Sequence, residues 1–183
     1  MPVPERFKLK PPRAELVGQM SVLCDAIEDA AEDEVDKLLA EWNGYATRDH
    51  KQYEFRTYWK SVNKEVFVRA ALHPQPQFVD DATYDEVRCM VESVMEAEGE
   101  EDEHSYYLAW LDTQFPGARI SDLIYWPDHW FGDASLFREP NGAFKPETEL
   151  SSDQIMAYAM LASKRQLPGA PEGIELPFQL PNK

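Results

Sequence analysis

The chain has 183 residues, 43% of them hydrophobic and 12% aromatic, enough apolar material for a real core and too much for wholesale disorder. Eighteen Lys and Arg against 34 Asp and Glu leave a formal charge of −16. Such a surface repels nucleic-acid phosphates and anionic membranes and favours basic protein partners.

The length predicts one domain, with an extended arm over residues 1–12, a helical core over 13–167 and a Pro-rich tail over 168–183. The basic N-terminus is followed by no apolar signal core, and no stretch approaches the ~18 apolar residues of a membrane span. A cytoplasmic location is expected. Cys24 and Cys89 lie far apart, with no disulfide or zinc spacing around them, and read as reduced thiols.

Pro2, Pro4, Pro11 and Pro12 keep the arm extended, and Pro12 stands where a helix can begin. From Leu16, the residues Met20, Leu23, Ile27, Ala31, Val35, Leu38 and Trp42 recur at helical spacing, which predicts one helix over 13–43 stopping near Gly44. A second apolar stripe, Phe55, Tyr58, Trp59, Val62, Val66 and Ala70, predicts a helix over 49–72; Val66-Phe67-Val68 also reads as a short strand, with the helix preferred. Thr83 and Glu86 form a capping-box pattern before a stripe ending in Val94 and Met95, giving a third helix over 84–98. Tyr107, Leu108, Leu111 and Phe115 mark a fourth over 101–114, closed by Pro116-Gly117.

Residues 119–146, rich in Trp, Phe, Asp, Pro and Gly, hold no sustained period and predict an ordered irregular loop pinned by its aromatics. Ser151 and Gln154 repeat the capping-box pattern before a last helix over 152–165, where Lys164 and Arg165 suit the negative end of the helix dipole. The fold class is therefore mainly α: a single bundle of about five helices, with Leu23, Ile27, Leu38, Val94, Leu111 and Ile155 in its core.

The acidity is local. Asp25–Glu41 holds eight acidic residues and one Lys, Asp80–Glu103 eleven and one Arg, so the rest of the chain is close to neutral. Much of this charge can be the wet face of helices. Glu98-Gly99-Glu100-Glu101-Asp102-Glu103 is harder to explain that way, because five carboxylates in six residues repel one another at a helix junction. This run, with Glu32 and Asp33, is the candidate surface for a basic partner. Trp126, Asp128 and Trp130, in Ser121-Asp122-Leu123-Ile124-Tyr125-Trp126-Pro127-Asp128-His129-Trp130-Phe131, are the candidate aromatic and acidic anchors.

No chemistry-bearing motif emerges. His50, His73, His104 and His129 show no ligand spacing; His104 could pair with a carboxylate but reads as a surface histidine. Asp81, Thr83, Asp85 and Glu92 match calcium-loop positions, but Glu86 stands where the turn requires Gly. Phosphate-binding loops and nucleophile elbows are absent. The expectation is a protein without catalytic residues, metal or cofactor.

Ile120-Ser121-Asp122-Leu123-Ile124-Tyr125-Trp126-Pro127-Asp128, paired with the helix start Glu149-Leu150-Ser151-Ser152-Asp153-Gln154-Ile155, resembles the C-terminal part of small bacterial immunity proteins of polymorphic toxin systems. The resemblance covers the last third of the chain. It implies an acidic, cytosolic, cofactor-free, non-catalytic protein that binds a cognate toxin domain and occludes its active site, and it carries over no contact residue. Two other readings compete. A nucleic-acid mimic would need carboxylates spread along one long face, whereas this charge falls in two blocks. A small enzyme would need a pocket with converging titratable groups.

Overall fold

The computed structural model describes residues 2–181; the first residue of the predicted arm and the last two of the tail lie outside them. The described residues are mainly helical and contain no β-strand. Ten α-helices form: α1 (Ala14–Asp29), α2 (Val35–Tyr45), α3 (Gln52–Phe55), α4 (Lys64–Leu72), α5 (Tyr84–Met95), α6 (Glu101–Gln114), α7 (Ile120–Tyr125), α8 (Pro127–Phe131), α9 (Ala134–Phe137) and α10 (Ser152–Ser163). About five were expected, and the difference comes from breaks in the first two predicted helices and from short helices in the predicted loop.

The first break falls at residues 30–34, where Ala30 turns extended and Glu32, Asp33 and Glu34 project into solvent. The predicted stripe is real, since Met20, Leu23, Ile27, Val35 and Trp42 are all buried, but it folds back as a hairpin so that both halves face one core. A straight helix over 13–43 would extend ~45 Å at 1.5 Å per residue, far beyond any core this segment could cover. The second predicted helix breaks into α3, a 3-10 turn at Tyr58–Lys60, and α4. Asn63 restarts it: its side chain accepts the Val66 N–H at 3.0 Å, an N-cap inside the apolar stripe. Val66-Phe67-Val68 is helical.

Tertiary contacts group the chain into two compact units, where the sequence predicts a single core. One comprises Leu9–Gln75 with Gly99–Tyr106; the other comprises the chain up to Lys8, Pro76–Glu98 and the chain from Tyr107 onward. In the first, Trp42 is 0% exposed, meets Phe55 edge-on at 4.8 Å between centroids and stacks on Phe67 at 5.7 Å. Thr47 ties the end of α2 to the end of α4, donating its N–H to the Ala71 carbonyl at 2.9 Å and its hydroxyl to that of His73 at 2.5 Å.

In the second unit α5 packs on α10, and both predicted capping boxes form. Thr83 N–H donates to Glu86 at 2.9 Å, and Ser151 N–H to Gln154 at 3.0 Å. The predicted aromatic loop is mostly helix: Pro127 opens α8, Gly132 at φ +70° ends it, and Asp133 caps α9 by accepting the Ser135 N–H at 2.9 Å. Segments of four to six residues are too short to display a period, which is why the sequence does not reveal them. Phe131, Phe137, Tyr158 and Phe178 form one aromatic cluster, and the Tyr158 hydroxyl donates to the Phe178 carbonyl at 2.6 Å, fixing the tail across α10. Arg165, expected as a dipole partner, instead donates to the Gln114 carbonyl at 2.7 Å and to the Val79 carbonyl, so it holds together three stretches distant in sequence.

Arg6 fastens the arm by donating to both carboxylate oxygens of Glu86, at 2.7 and 2.6 Å. Those bonds hold the Glu86 carboxyl down to about 2 from its ordinary 4.5. A depressed carboxylate stabilises the fold above its unfolded pKa, and that contribution disappears as pH falls from 4.5 toward 2. A carboxyl NMR titration should place Glu86 near 2, and Arg6→Ala should return it toward 4.5 and flatten the acid dependence of stability in that window. In the other unit, Trp42→Ala should cost ~3–5 kcal/mol in urea unfolding, while Val22→Ala on an exposed face should change stability by less than ~0.5 kcal/mol.

Candidate functional site

The acidic run begins where α5 ends. Ala97 at φ +51° and Gly99 at φ +90° turn the chain, and the Glu98 N–H caps α5 by donating to the Ser93 carbonyl at 3.1 Å. A Cβ on Gly99 would stand 2.9 Å from Glu103 Oε2, so both the turn and the close approach need glycine. Glu101, Asp102 and Glu103 occupy the first turn of α6, where the helix dipole favours negative charge.

Asp102 departs from its neighbours. It is 1% exposed, and Arg69 Nε donates to its Oδ2 at 3.0 Å while His73 Nε2 stands 2.6 Å from the same oxygen. The predicted reading is corrected here: Asp102 is not a partner-facing residue, and it meets the imidazole of His73, which the sequence does not single out. Burial opposes the Arg69 charge, but the hydrogen bond to Asp102 and the fields of Asp102, Glu100 and Glu103 outweigh it and raise its pKa.

The rest of the run faces outward. Glu98, Glu100 and Glu101 are exposed and Glu103 half-buried, and their carboxylates make no hydrogen bond or ion pair among the described residues. Glu32 and Asp33 are exposed in the turn between α1 and α2 and are likewise unpaired there.

The aromatic segment divides. Trp126, between α7 and α8, is 50% exposed and stacks on exposed His129 at 5.8 Å. Trp130 is 6% exposed; its indole N–H donates to the Ala118 carbonyl at 2.6 Å and its ring packs on Phe131 and Tyr158. Asp128 is 3% exposed and accepts from Arg138 Nε at 2.5 Å, and the guanidinium holds its carboxyl below the ordinary range. Trp130 and Asp128 are therefore corrected from surface anchors to internal braces. One helical turn decides this: α8 turns Asp128 and Trp130 inward and leaves His129 outside.

An apolar groove of about 460 Å³ lies beside Trp126, between the end of α5, α7 and the segment leading into α10. Sequence reasoning missed it, since its wall comes from separate stretches of the chain, at Met95, at Leu123–Pro127 and from Phe144 to Ile155. Among the described residues no group of three or more His, Cys, Asp or Glu side chains is arranged to hold a metal ion, and no helix is long and apolar enough to cross a membrane. Searches of protein-family models, curated proteins and solved structures return no match to the chain.

Asp102→Asn leaves Arg69 without its buried counter-charge and should destabilise the protein by about 3 kcal/mol in chemical denaturation. Glu101→Gln, on the exposed side of the same turn, should shift stability by less than ~0.5 kcal/mol.

Proposed function

We propose that this chain is a non-catalytic binding protein of the immunity type, acting in the cytoplasm by covering the basic active-site cleft of a cognate toxin domain. The observation that carries the reading is the unpaired run Glu98, Glu100, Glu101 and Glu103 at the α5–α6 turn. Like charges this near in sequence repel one another in the free protein, and a basic surface relieves that cost on binding. The resemblance of Ile120–Asp128 and Glu149–Ile155 to toxin-immunity proteins supplies the biological role. Trp126, half exposed between two short helices, is the aromatic anchor that remains after Trp130 is assigned to the interior.

The test is to search the neighbouring genes for a candidate toxin domain and to coexpress it with this chain. Cells should survive, and the two proteins should copurify as a stable complex. Death of the cells, or failure of the purified proteins to associate, would overturn the reading. Trp126→Ala should keep the fold and hasten dissociation by an amount equivalent to ~2 kcal/mol, whereas Trp130→Ala should act through lost stability. Dissociation rates and melting curves separate the two.

A further inference from the structure

The groove beside Trp126 has the composition of a docking site. Ile124, Phe144, Leu150 and Ile155 supply its apolar wall, with Tyr125 and Phe144 still partly open to solvent. Polar groups at the wall are already engaged: Lys145 Nζ donates to the Ser135 carbonyl at 2.7 Å, the Thr148 hydroxyl to the Lys145 carbonyl at 2.8 Å, and the Tyr125 hydroxyl to the Val94 carbonyl at 3.1 Å. A ligand recognised by converging polar groups would find few of them here.

The rim is different in character. Glu149 lines the groove with an exposed carboxylate that makes no ion pair among the described residues. At Met95 the wall ends on the exit of α5, three residues before exposed Glu98 in the chain. The nearby cations are committed: Lys145 as above, and Arg138 to Asp128 and the Gly142 carbonyl while it covers one face of Phe144 at 3.9 Å. An apolar trough with carboxylates at its edge complements one kind of surface, apolar side chains flanked by Lys or Arg.

The geometry points to this groove as the seat for a basic amphipathic helix of the partner protein, its apolar face against Ile124, Phe144 and Leu150 and its cations at Glu149 and the α5 exit. A volume of about 460 Å³ admits one or two large side chains, as helix-in-groove recognition requires. The inference deepens the binding reading above and rests on it for the basic character of the partner.

Titration of the labelled 183-residue chain with three synthetic peptides of ~14 residues tests it. One is an amphipathic Leu/Lys helix, the second replaces Leu by Ser at equal charge, and the third replaces Lys by Glu. The Leu/Lys peptide should shift the methyl signals of Met95, Ile124 and Ile155 and the indole N–H of Trp126. The Ser/Lys peptide should bind at least roughly tenfold more weakly and the Leu/Glu peptide less still. Phe144→Ala should weaken the Leu/Lys peptide by roughly tenfold, and Glu149→Lys, at an exposed position, should weaken it severalfold with an unchanged melting curve. Equal binding of the Ser/Lys peptide, shifts confined to Glu98–Glu103, indifference to both substitutions, or a dimer of this chain that covers the groove would each overturn the inference. Those results would leave the coexpression outcome standing, whereas groove binding with no protection from the toxin would remove the immunity role alone.

Discussion

Burying Asp102 at the first turn of α6 sets a condition that the rest of its unit must meet, because an isolated carboxylate cannot remain ionised out of water. Arg69 and His73, both carried by α4 or the residue that follows it, meet that condition at one oxygen. The chain answers the same demand elsewhere. Arg138 is matched to Asp128, Arg6 to Glu86, and Arg165 to the carbonyls of Val79 and Gln114. With 18 cationic residues against 34 acidic ones, each guanidinium used in this way is one fewer to pair with the remaining carboxylates.

Local signals translated into structure faithfully. Thr83-Glu86 and Ser151-Gln154 became capping boxes, α6 runs over its predicted span, and Leu23, Ile27, Val94, Leu111 and Ile155 are buried, with Leu38 half-buried. These features depend on contacts within one or two helical turns, where side-chain spacing and backbone geometry are tightly coupled. The break between α1 and α2 was hidden because an amphipathic stripe looks alike in a straight helix and in a hairpin that returns to the same core. Only the acidic cluster at Glu32–Glu34 marks the turn, and carboxylates mark helix faces equally well.

Site residues were less legible for a related reason. Exposure of a charged or aromatic residue is decided by partners remote in sequence: Asp102 by Arg69 and His73, Trp130 by Ala118 and Tyr158, Asp128 by Arg138. Nothing local distinguishes Asp102 from Glu101, or Trp130 from Trp126. Side-chain length supplies a physical distinction afterwards, since the short Asp can meet α4 close to the backbone while Glu reaches water. The outcome sorts the candidates into internal braces and outward groups, leaving Glu32, Asp33, Glu98, Glu100, Glu101, Glu103 and Trp126 facing solvent at least in part.

Outward carboxylates act at long range and aromatic or apolar contacts at short range, so the two are expected to govern different steps of complex formation. The central claim is that the unpaired run draws in a basic partner. Stopped-flow association with the toxin domain, measured across ionic strength for the native protein and for a variant carrying Glu98→Lys, Glu100→Lys and Glu101→Lys, tests it most directly. The native rate should fall steeply with added salt, and the variant should associate more slowly with a flattened salt response at an almost unchanged dissociation rate. A folded variant that associates at the native rate with the native salt dependence would contradict the account.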